Sequence, residues 1–412
     1  MAMALQSAQH ETGALPATPD FDHYPIAQAV AVAVVPQPEG IVVTWADGQV
    51  DHFNRFWLRE NEVADGIVNP VTRERDIDVA ALPEDLAATA VAIEDSGTIA
   101  VTWHPDQRVT HHHPGWLRAF ADRTRHPRAA LPEQTTWDAA SMAEPISFGG
   151  PRVLNDDGAL RDWLIAVHRY GLARLGGLPD RIGLVQQVAE RIGTIRPSSF
   201  GFLFDVESKP KPDSNAYTAG GLTPHTDLPS REMQPGIQLL HCRTNTCADG
   251  FSVMVDGFRV AEHIRATDPE AFAALTDLRW LFCNRHRDYD YRWSGPMVEC
   301  DVDGRITEIR ASNAIRAHPD MPGEDMPRAY RAVRKFMNLL ASDSFRCRYP
   351  FSAGNLVAFD NRRILHGRDP FDARQGWRRL QGCYLDHDEL YSRLRILAWR
   401  EREISATAPP PT

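Results

Sequence analysis

The chain has 412 residues, 43% hydrophobic and 24% charged, with a formal net charge of −10. This is the composition of a globular enzyme of roughly two or three domains, and an acidic balance without a long basic run argues against nucleic acid as a main partner. The longest apolar stretch, residues 26–35, is far short of the ~20 residues a membrane span needs, and the first residues lack the basic start and apolar core of a signal peptide.

Six scattered cysteines without a Cys-x-x-Cys pair read as reduced thiols in a cytoplasmic protein. Residues 1–23, rich in Ala, Thr, Pro and Gln, are expected to be disordered. Short apolar segments follow: Ala31-Val-Ala-Val-Val35, Gly40-Ile-Val-Val-Thr-Trp45, a turn at Asp47-Gly48, then Val50-Asp-His-Phe53. These predict antiparallel hairpin strands. A helical turn at residues 57–61, strands at 90–93 and 98–103, and Trp116-Leu-Arg-Ala-Phe120 complete a small β-rich domain over 24–118. Trp45, Trp57, Trp103 and Trp116 are its expected anchors. Residues 119–145, polar and proline-containing, read as a linker.

A larger domain is expected over 146–405, before a disordered tail at 406–412. Leu160, Trp163, Leu164, Val167 and His168 share one helical face. A strand follows Gly171, then a second helix over 183–192 that stops at Gly193. Strands are predicted at 200–206, 237–242 and 251–255, a helical pair at 258–267 and 269–278, and strands at 278–283 and at 297–309, the latter turning at Asp303-Gly304. A long helix over 326–342 keeps Tyr330, Val333, Phe336, Met337 and Leu340 in register. One apolar run from Asn355 reads as a strand with His366 at its far end, and a last strand covers 381–385. Strands dominate and helices sit apart. The expected fold is mainly β with flanking helices, a double-stranded β-helix (jelly-roll) core plus the small N-terminal domain.

His225-Thr-Asp227 places two donors on one face of an extended backbone, because side chains alternate with a period of two. The His-x-Asp pattern occurs four times, also at His104-Pro-Asp106, His286-Arg-Asp288 and His318-Pro-Asp320. Only the 225 copy is followed by a core strand and, much later, by a polar strand end carrying a second histidine, His366. Two histidines and one carboxylate on one face of an ion leave the opposite positions open, the arrangement of non-haem Fe(II) oxygenases. The predicted metal ligands are His225, Asp227 and His366.

Four stretches carry a likeness: 215–229 around Gly221-Leu-Thr-Pro-His225-Thr-Asp227, then Gln238-Leu-Leu-His-Cys242, then Phe359-Asp-Asn-Arg-Arg-Ile-Leu-His366-Gly-Arg368, then Leu380-Gln-Gly-Cys-Tyr384. Together they resemble the γ-butyrobetaine hydroxylase family, a branch of the taurine-dioxygenase-like Fe(II)/2-oxoglutarate oxygenases, along nearly the whole chain. The resemblance implies an Fe(II) enzyme that consumes 2-oxoglutarate as cosubstrate, with ascorbate as reductant. It implies hydroxylation of γ-butyrobetaine to L-carnitine with release of succinate and CO2, and a homodimer. Arg378 is placed to bind the far carboxylate of 2-oxoglutarate, with Arg379 pointing the other way. The aromatic cage for the trimethylammonium substrate falls on Phe200, Phe204, Tyr217 and Tyr384, since such a cation is recognised through aromatic faces. Ser214 and Asn313 match positions that contact the substrate carboxylate.

Other quaternary-ammonium substrates, trimethyllysine or a trimethylamino phosphonate, are discriminated by the pocket around Ser214, Asn313 and Arg316. A non-catalytic binding module on the same fold would carry a broken triad, which this chain does not. The family's small domain often holds zinc on three cysteines and a histidine. Here 60–67 has no cysteine and Asp106-Gln-Arg108 stands where the histidine would fall, so no structural zinc is expected. Consecutive His111, His112 and His113 alternate faces on a strand and are not read as a metal site.

Overall fold

The structure, a computed structural model, describes residues 14–21, 26, 28–121, 131–207, 218–372, 374 and 376–407. The chain divides into two compact units, Met1–Ala129 with Trp399–Thr412, and Ala130–Ala398. Ser214 and Tyr217, and most of the expected disordered ends, lie outside the described residues.

In the first unit, β1 (Ala31–Gln37), β2 (Gly40–Trp45) and β3 (Val50–Asn54) form one antiparallel sheet. A second antiparallel sheet contains β4 (Ala87–Ile93), β5 (Ile99–His104) and β6 (Val109–His112). Helix α1 (Arg55–Arg59) follows β3 and α2 (Pro114–Phe120) follows β6. Trp45, Trp103 and Trp116 are buried in one core with Ile41, Val43, Ile99 and Val101. Each such apolar side chain removed from water is worth about 1.5–3 kcal/mol. Trp57 is only half-buried and lies flat against Trp116, their rings 4.8 Å apart. The indole N–H groups are met: Trp45 donates to Asp51 at 2.6 Å and Trp103 to Thr110 at 2.8 Å. Trp116 donates to Asp20 Oδ2 at 3.1 Å, and Thr18 is buried. Within the start expected to be disordered, Pro16 and Thr18 are thus buried and Asp20 is bonded, while Leu15 and Phe21 stay exposed.

The stretches 59–62 and 106–108, where no structural zinc is expected, hold ion pairs. Arg59 Nη2 meets Asp106 Oδ2 at 2.8 Å, and Arg108 Nη2 meets Glu62 Oε2 at 2.7 Å. This set has neither thiolate nor imidazole and does not fit a structural zinc ion. The three histidines differ: His111 pairs with Glu94 at 3.3 Å, buried His112 bonds Thr110 at 2.8 Å, and His113 caps α2.

The second unit is layered. Its large sheet runs β10 (Phe204–Glu207), β22 (Arg378–Leu385), β12 (Ile237–Asn245), β20 (Leu356–Asp360), β8 (Leu172–Gly176), β7 (Ser147–Gly149), with β9 (Ile195–Arg196) also pairing β22. Its small sheet runs β11 (Leu222–His225), β21 (Ile364–Arg368), β13 (Ser252–Asp256), β19 (Arg346–Tyr349). Period-two alternation sorts the side chains. Leu240, Cys242, Val357, Phe359 and Leu380 of the large sheet pack against Met254, Cys347, Tyr349 and Ile364 of the small one. On the outer face of the large sheet, Ile237, Leu239, Leu356, Ala358, Cys383 and Leu385 meet α4 (Asp157–Tyr170), α5 (Leu184–Ile192) and the start of α9 (His387–Thr407). Outside the small sheet, Val253, Val255 and Leu365 meet α6 (Gly257–Thr267), α7 (Pro269–Asp277) and α8 (Met326–Leu340). Helix α4 begins where the Asp156 carboxylate accepts from Ala159 N, and ends at Gly171, whose φ of +69° favours glycine. No helix among the described residues is long and apolar enough to cross a membrane.

Four expectations change. Residues 131–145 are not a free linker: Trp137 is buried, and its indole donates to Tyr170 O at 2.7 Å while its backbone N donates to Asp256 at 3.1 Å. Residues 200–203 form a turn, with Gly201 at φ +92°, so the strand starts at Phe204. The single strand expected from Asn355 to His366 is two, in different sheets, because buried Asn361 and Arg363 turn the chain between them. A hairpin of β14 (Trp280–His286) with β15 (Tyr289–Gly295), extended by β18 (Arg316–Pro319), was only partly anticipated, and β16 (Val298–Cys300) pairs β17 (Ile306–Ile309).

Candidate metal centre

Strands β11 and β21 set the two histidines directly opposite each other, His225 paired with His366 across the antiparallel ladder, ring centroids 4.4 Å apart. The chain then leaves β11 through Thr226, fully buried, to Asp227. Asp227 Oδ1 lies 3.5 Å from His225 Nε2 and 3.7 Å from His366 Nε2. Donor atoms of the three residues all lie within 4.8 Å of one another, close enough to share one ion, and among the described residues they form the one such cluster.

His225 Nδ1 lies 2.9 Å from Thr223 O, which orients the ring so that Nε2 faces Asp227. Burial pushes the His366 pKa down, to about 4, with Asp227 opposing, so this imidazole is neutral near pH 7. Burial also works against a charged His225, but its hydrogen bond to Asp227 and that carboxylate's charge outweigh it and raise the pKa. Burial opposes ionisation of Asp227 too; the charges of His366 and His225 and a hydrogen bond from Tyr384 outweigh it and hold the carboxyl well below its usual range. Two imidazoles and one carboxylate fit a divalent transition metal.

Tyr384, read as a cage face, also serves Asp227 directly: its hydroxyl donates to Oδ2 at 2.8 Å. Its ring stacks on Phe204 at 4.9 Å, and Phe204 lies 6.2 Å from Phe200, itself 38% exposed. Three of the four expected cage aromatics therefore form one row of rings whose Tyr384 end meets Asp227, and Tyr217 lies outside the described residues, as does Ser214. Asn313 is exposed, accepts from Arg316 Nη2 at 3.2 Å, and stands two residues beyond Ala311, whose carbonyl accepts from Thr226 N. Sequence reasoning missed Gln238, a buried amide paired across from both Tyr384 and Phe359, with its Oε1 unmet. A glutamine inside an apolar strand was the available signal.

Arg378 opens β22, partly buried, with Nε sealed from solvent and unbonded. Among the described residues no carboxylate pairs with it, and burial pushes its pKa down. A cation held this way fits an incoming carboxylate. Arg379 points out and pairs with Glu207 at 2.8 Å. The other His-x-Asp copies are otherwise engaged: His104 with Asp85, Asp106 with Arg59, His286 with Asp288 on the surface, and Asp320 with Ser294.

The family model "Taurine catabolism dioxygenase TauD, TfdA family" matches residues 131–384. A gamma-butyrobetaine dioxygenase of Pseudomonas sp. (strain AK-1) is 43% identical over 376 residues, 90% of this chain and 96% of the relative. The Homo sapiens gamma-butyrobetaine dioxygenase is 30% identical over 372 residues, 87% of this chain and 94% of the relative. A trimethyllysine dioxygenase of Meyerozyma guilliermondii is 23% identical over 379 residues, 87% of this chain and 94% of the relative. The chain belongs to the TauD/TfdA dioxygenase family, within its gamma-butyrobetaine dioxygenase branch.

Proposed function

We propose that this protein is an Fe(II)- and 2-oxoglutarate-dependent dioxygenase that hydroxylates γ-butyrobetaine to L-carnitine. The observation that carries the chemistry is the His225, Asp227, His366 cluster. The substrate rests on the 43% identity to a named gamma-butyrobetaine dioxygenase over 90% of the chain. When bound, iron with 2-oxoglutarate and dioxygen supplies the oxidation, which releases succinate and CO2 and leaves a hydroxyl group on the substrate.

The protein's own part is positioning. His225, Asp227 and His366 hold the metal, and Tyr384 fixes Asp227 Oδ2 so that Oδ1 stays turned to both imidazoles. Arg378 receives the far carboxylate of 2-oxoglutarate. The faces of Phe200, Phe204 and Tyr384, with Tyr217, take the trimethylammonium group, each contact worth about 0.5–2 kcal/mol; Ser214 and Asn313 take the carboxylate. We read the two packed sheets as a double-stranded β-helix. The support is that β19, β20, β21 and β22 alternate between small and large sheets, as do β11, β12 and β13. All six cysteines are free thiols, which supports a cytoplasmic setting; the homodimer follows the family likeness.

The test is succinate formation with Fe(II) and ascorbate, run in parallel with γ-butyrobetaine, trimethyllysine and a trimethylamino phosphonate. Turnover stimulated by γ-butyrobetaine above the other two, and abolished by His225→Ala, is expected. Stimulation by trimethyllysine alone would overturn the substrate.

A further inference from the structure

The carboxylate-bearing turn of the metal centre is held by a side chain with no role so far. Asn361 is fully buried in the turn that takes the chain from β20 in the large sheet to β21 in the small one. Its amide meets one residue from both ends. Asp227 N donates to Asn361 Oδ1 at 2.7 Å, and Asn361 Nδ2 donates to Asp227 O at 3.0 Å. Nδ2 also reaches Pro235 O at 3.3 Å, and Asn361 N donates to Gly236 O at 2.8 Å. Every polar atom of the side chain is thus committed to the backbone of the loop that follows β11.

The preceding peptide is held from the other side. Thr226 N donates to Ala311 O at 2.8 Å, while Thr226 Oγ1 accepts from Ala311 N at 3.2 Å and donates to Gln234 Oε1 at 2.8 Å. The Asp227 carboxylate itself has a hydroxyl and two imidazoles near it and no lysine or arginine pair among the described residues. Tyr384 turns the carboxylate itself, while the backbone that carries it is held by Asn361 on one side and through Thr226 on the other. The same turn leads, five residues on, to His366.

We propose that Asn361 is a positioning residue for the metal centre, locking the Asp227 peptide to the turn that leads into the His366 strand so that both donors are pre-set for one ion. The inference rests on reading His225, Asp227 and His366 as the metal ligands. Groups that orient a ligand in this way typically change metal affinity by roughly 10- to 100-fold when removed. Asn361→Asp keeps the shape and the acceptor for Asp227 N, but sets a second carboxylate oxygen against two carbonyls.

The experiment titrates the full-length metal-free protein with Co(II), followed by calorimetry and by the visible Co(II) absorption. Asn361→Ala and Asn361→Asp are expected to weaken Co(II) binding by roughly 10- to 100-fold and to change the absorption band. Val185→Ala, a destabilising change in the helix-facing core, is expected to leave both unchanged. A folded Asn361 variant that binds Co(II) within about threefold of the parent overturns the proposal, as does an equal loss in Val185→Ala. A parent that binds no Co(II), or binds it equally after His225→Ala, refutes the metal-site reading on which the inference stands. A further measurement needs no variant: in the unsubstituted metal-free protein the Asp227 amide is expected to be strongly protected from hydrogen exchange. Exchange at the rate of an unstructured peptide overturns the clamp.

Discussion

Arg378→Met sets stability against binding within one side chain. The guanidinium has no carboxylate partner among the described residues, and its Nε is sealed from solvent. Its titratable neighbours offer it no counter-charge: burial pushes the Cys242 thiol up to about 12 and raises Tyr349, and the Arg368 guanidinium is a like charge. A desolvated cation without a counter-charge costs several kcal/mol when fully buried. Arg378 is only partly so, and a methionine of similar reach is expected to stabilise the ligand-free protein by about 1 kcal/mol. Binding moves the other way. Truncating one partner of a buried charge pair costs about 2–5 kcal/mol, or roughly 30- to 5,000-fold in 2-oxoglutarate affinity. The assay is urea unfolding of Co(II)-loaded protein with and without 2-oxoglutarate. At a ligand concentration about 100 times its Kd the parent gains about 2.7 kcal/mol, and the variant at the same concentration gains about 0.9 kcal/mol or less. Arg379→Met, which loses only an exposed pair with Glu207, changes each quantity by less than about 0.5 kcal/mol. An Arg378→Met protein that is less stable than the parent without ligand, or that keeps the 2-oxoglutarate shift, refutes the reasoning.

Arg363 and Asp256 are both fully buried and joined by bonds of 3.1 and 2.7 Å, and the same guanidinium donates to Arg169 O and Thr135 O. Arg363→Met is expected to cost about 3–5 kcal/mol in urea unfolding, partly recovered when Asp256→Asn is added; a loss under about 1 kcal/mol would count against the network. In Gly367→Ala a Cβ would sit 2.5 Å from Leu222 O and 3.1 Å from Pro224 N, forcing β11 away from β21 and His225 away from His366. Co(II) affinity should fall at least roughly tenfold, and an unchanged affinity would show that the strand pairing does not set the centre.

Much of the fold was legible where one side chain pattern has one structural solution. Ile237 to Cys242 and Leu356 to Phe359 are buried on both faces, with Gln238 and His241 the polar exceptions in a mainly apolar run, because each sheet is covered on both. The run through His366 was misread for a related reason: its apolar residues continue across the turn, and only Asp360-Asn361-Arg362-Arg363 interrupts them. Four polar residues in a row normally mark a surface loop. Here Asn361 and Arg363 are fully buried and Asp360 nearly so, because their partners Asp227, Asp256 and His387 come from distant parts of the chain. The alternation Tyr289-Asp-Tyr-Arg-Trp293 did carry a strand signal of period two, which its charges obscured.

The site divides along the same line. The spacing of His225 and Asp227 is local and His366 stood out at a polar strand end, whereas the pairing of His366 with His225 and the bond from Tyr384 to Asp227 needed the sheet register. What separates the genuine cluster from its three sequence copies is the company each carboxylate keeps. Asp106 is held by Arg59, Asp320 by Ser294, and Asp288 lies by Arg287 on the surface. Asp227 alone of the four faces two imidazoles. A carboxylate already neutralised by an arginine gains little from an ion, while one set between two imidazole nitrogens in a partly buried site has its strongest available partner in a metal. Competition for the carboxylate, which no spacing rule contains, is what decides which His-x-Asp can bind.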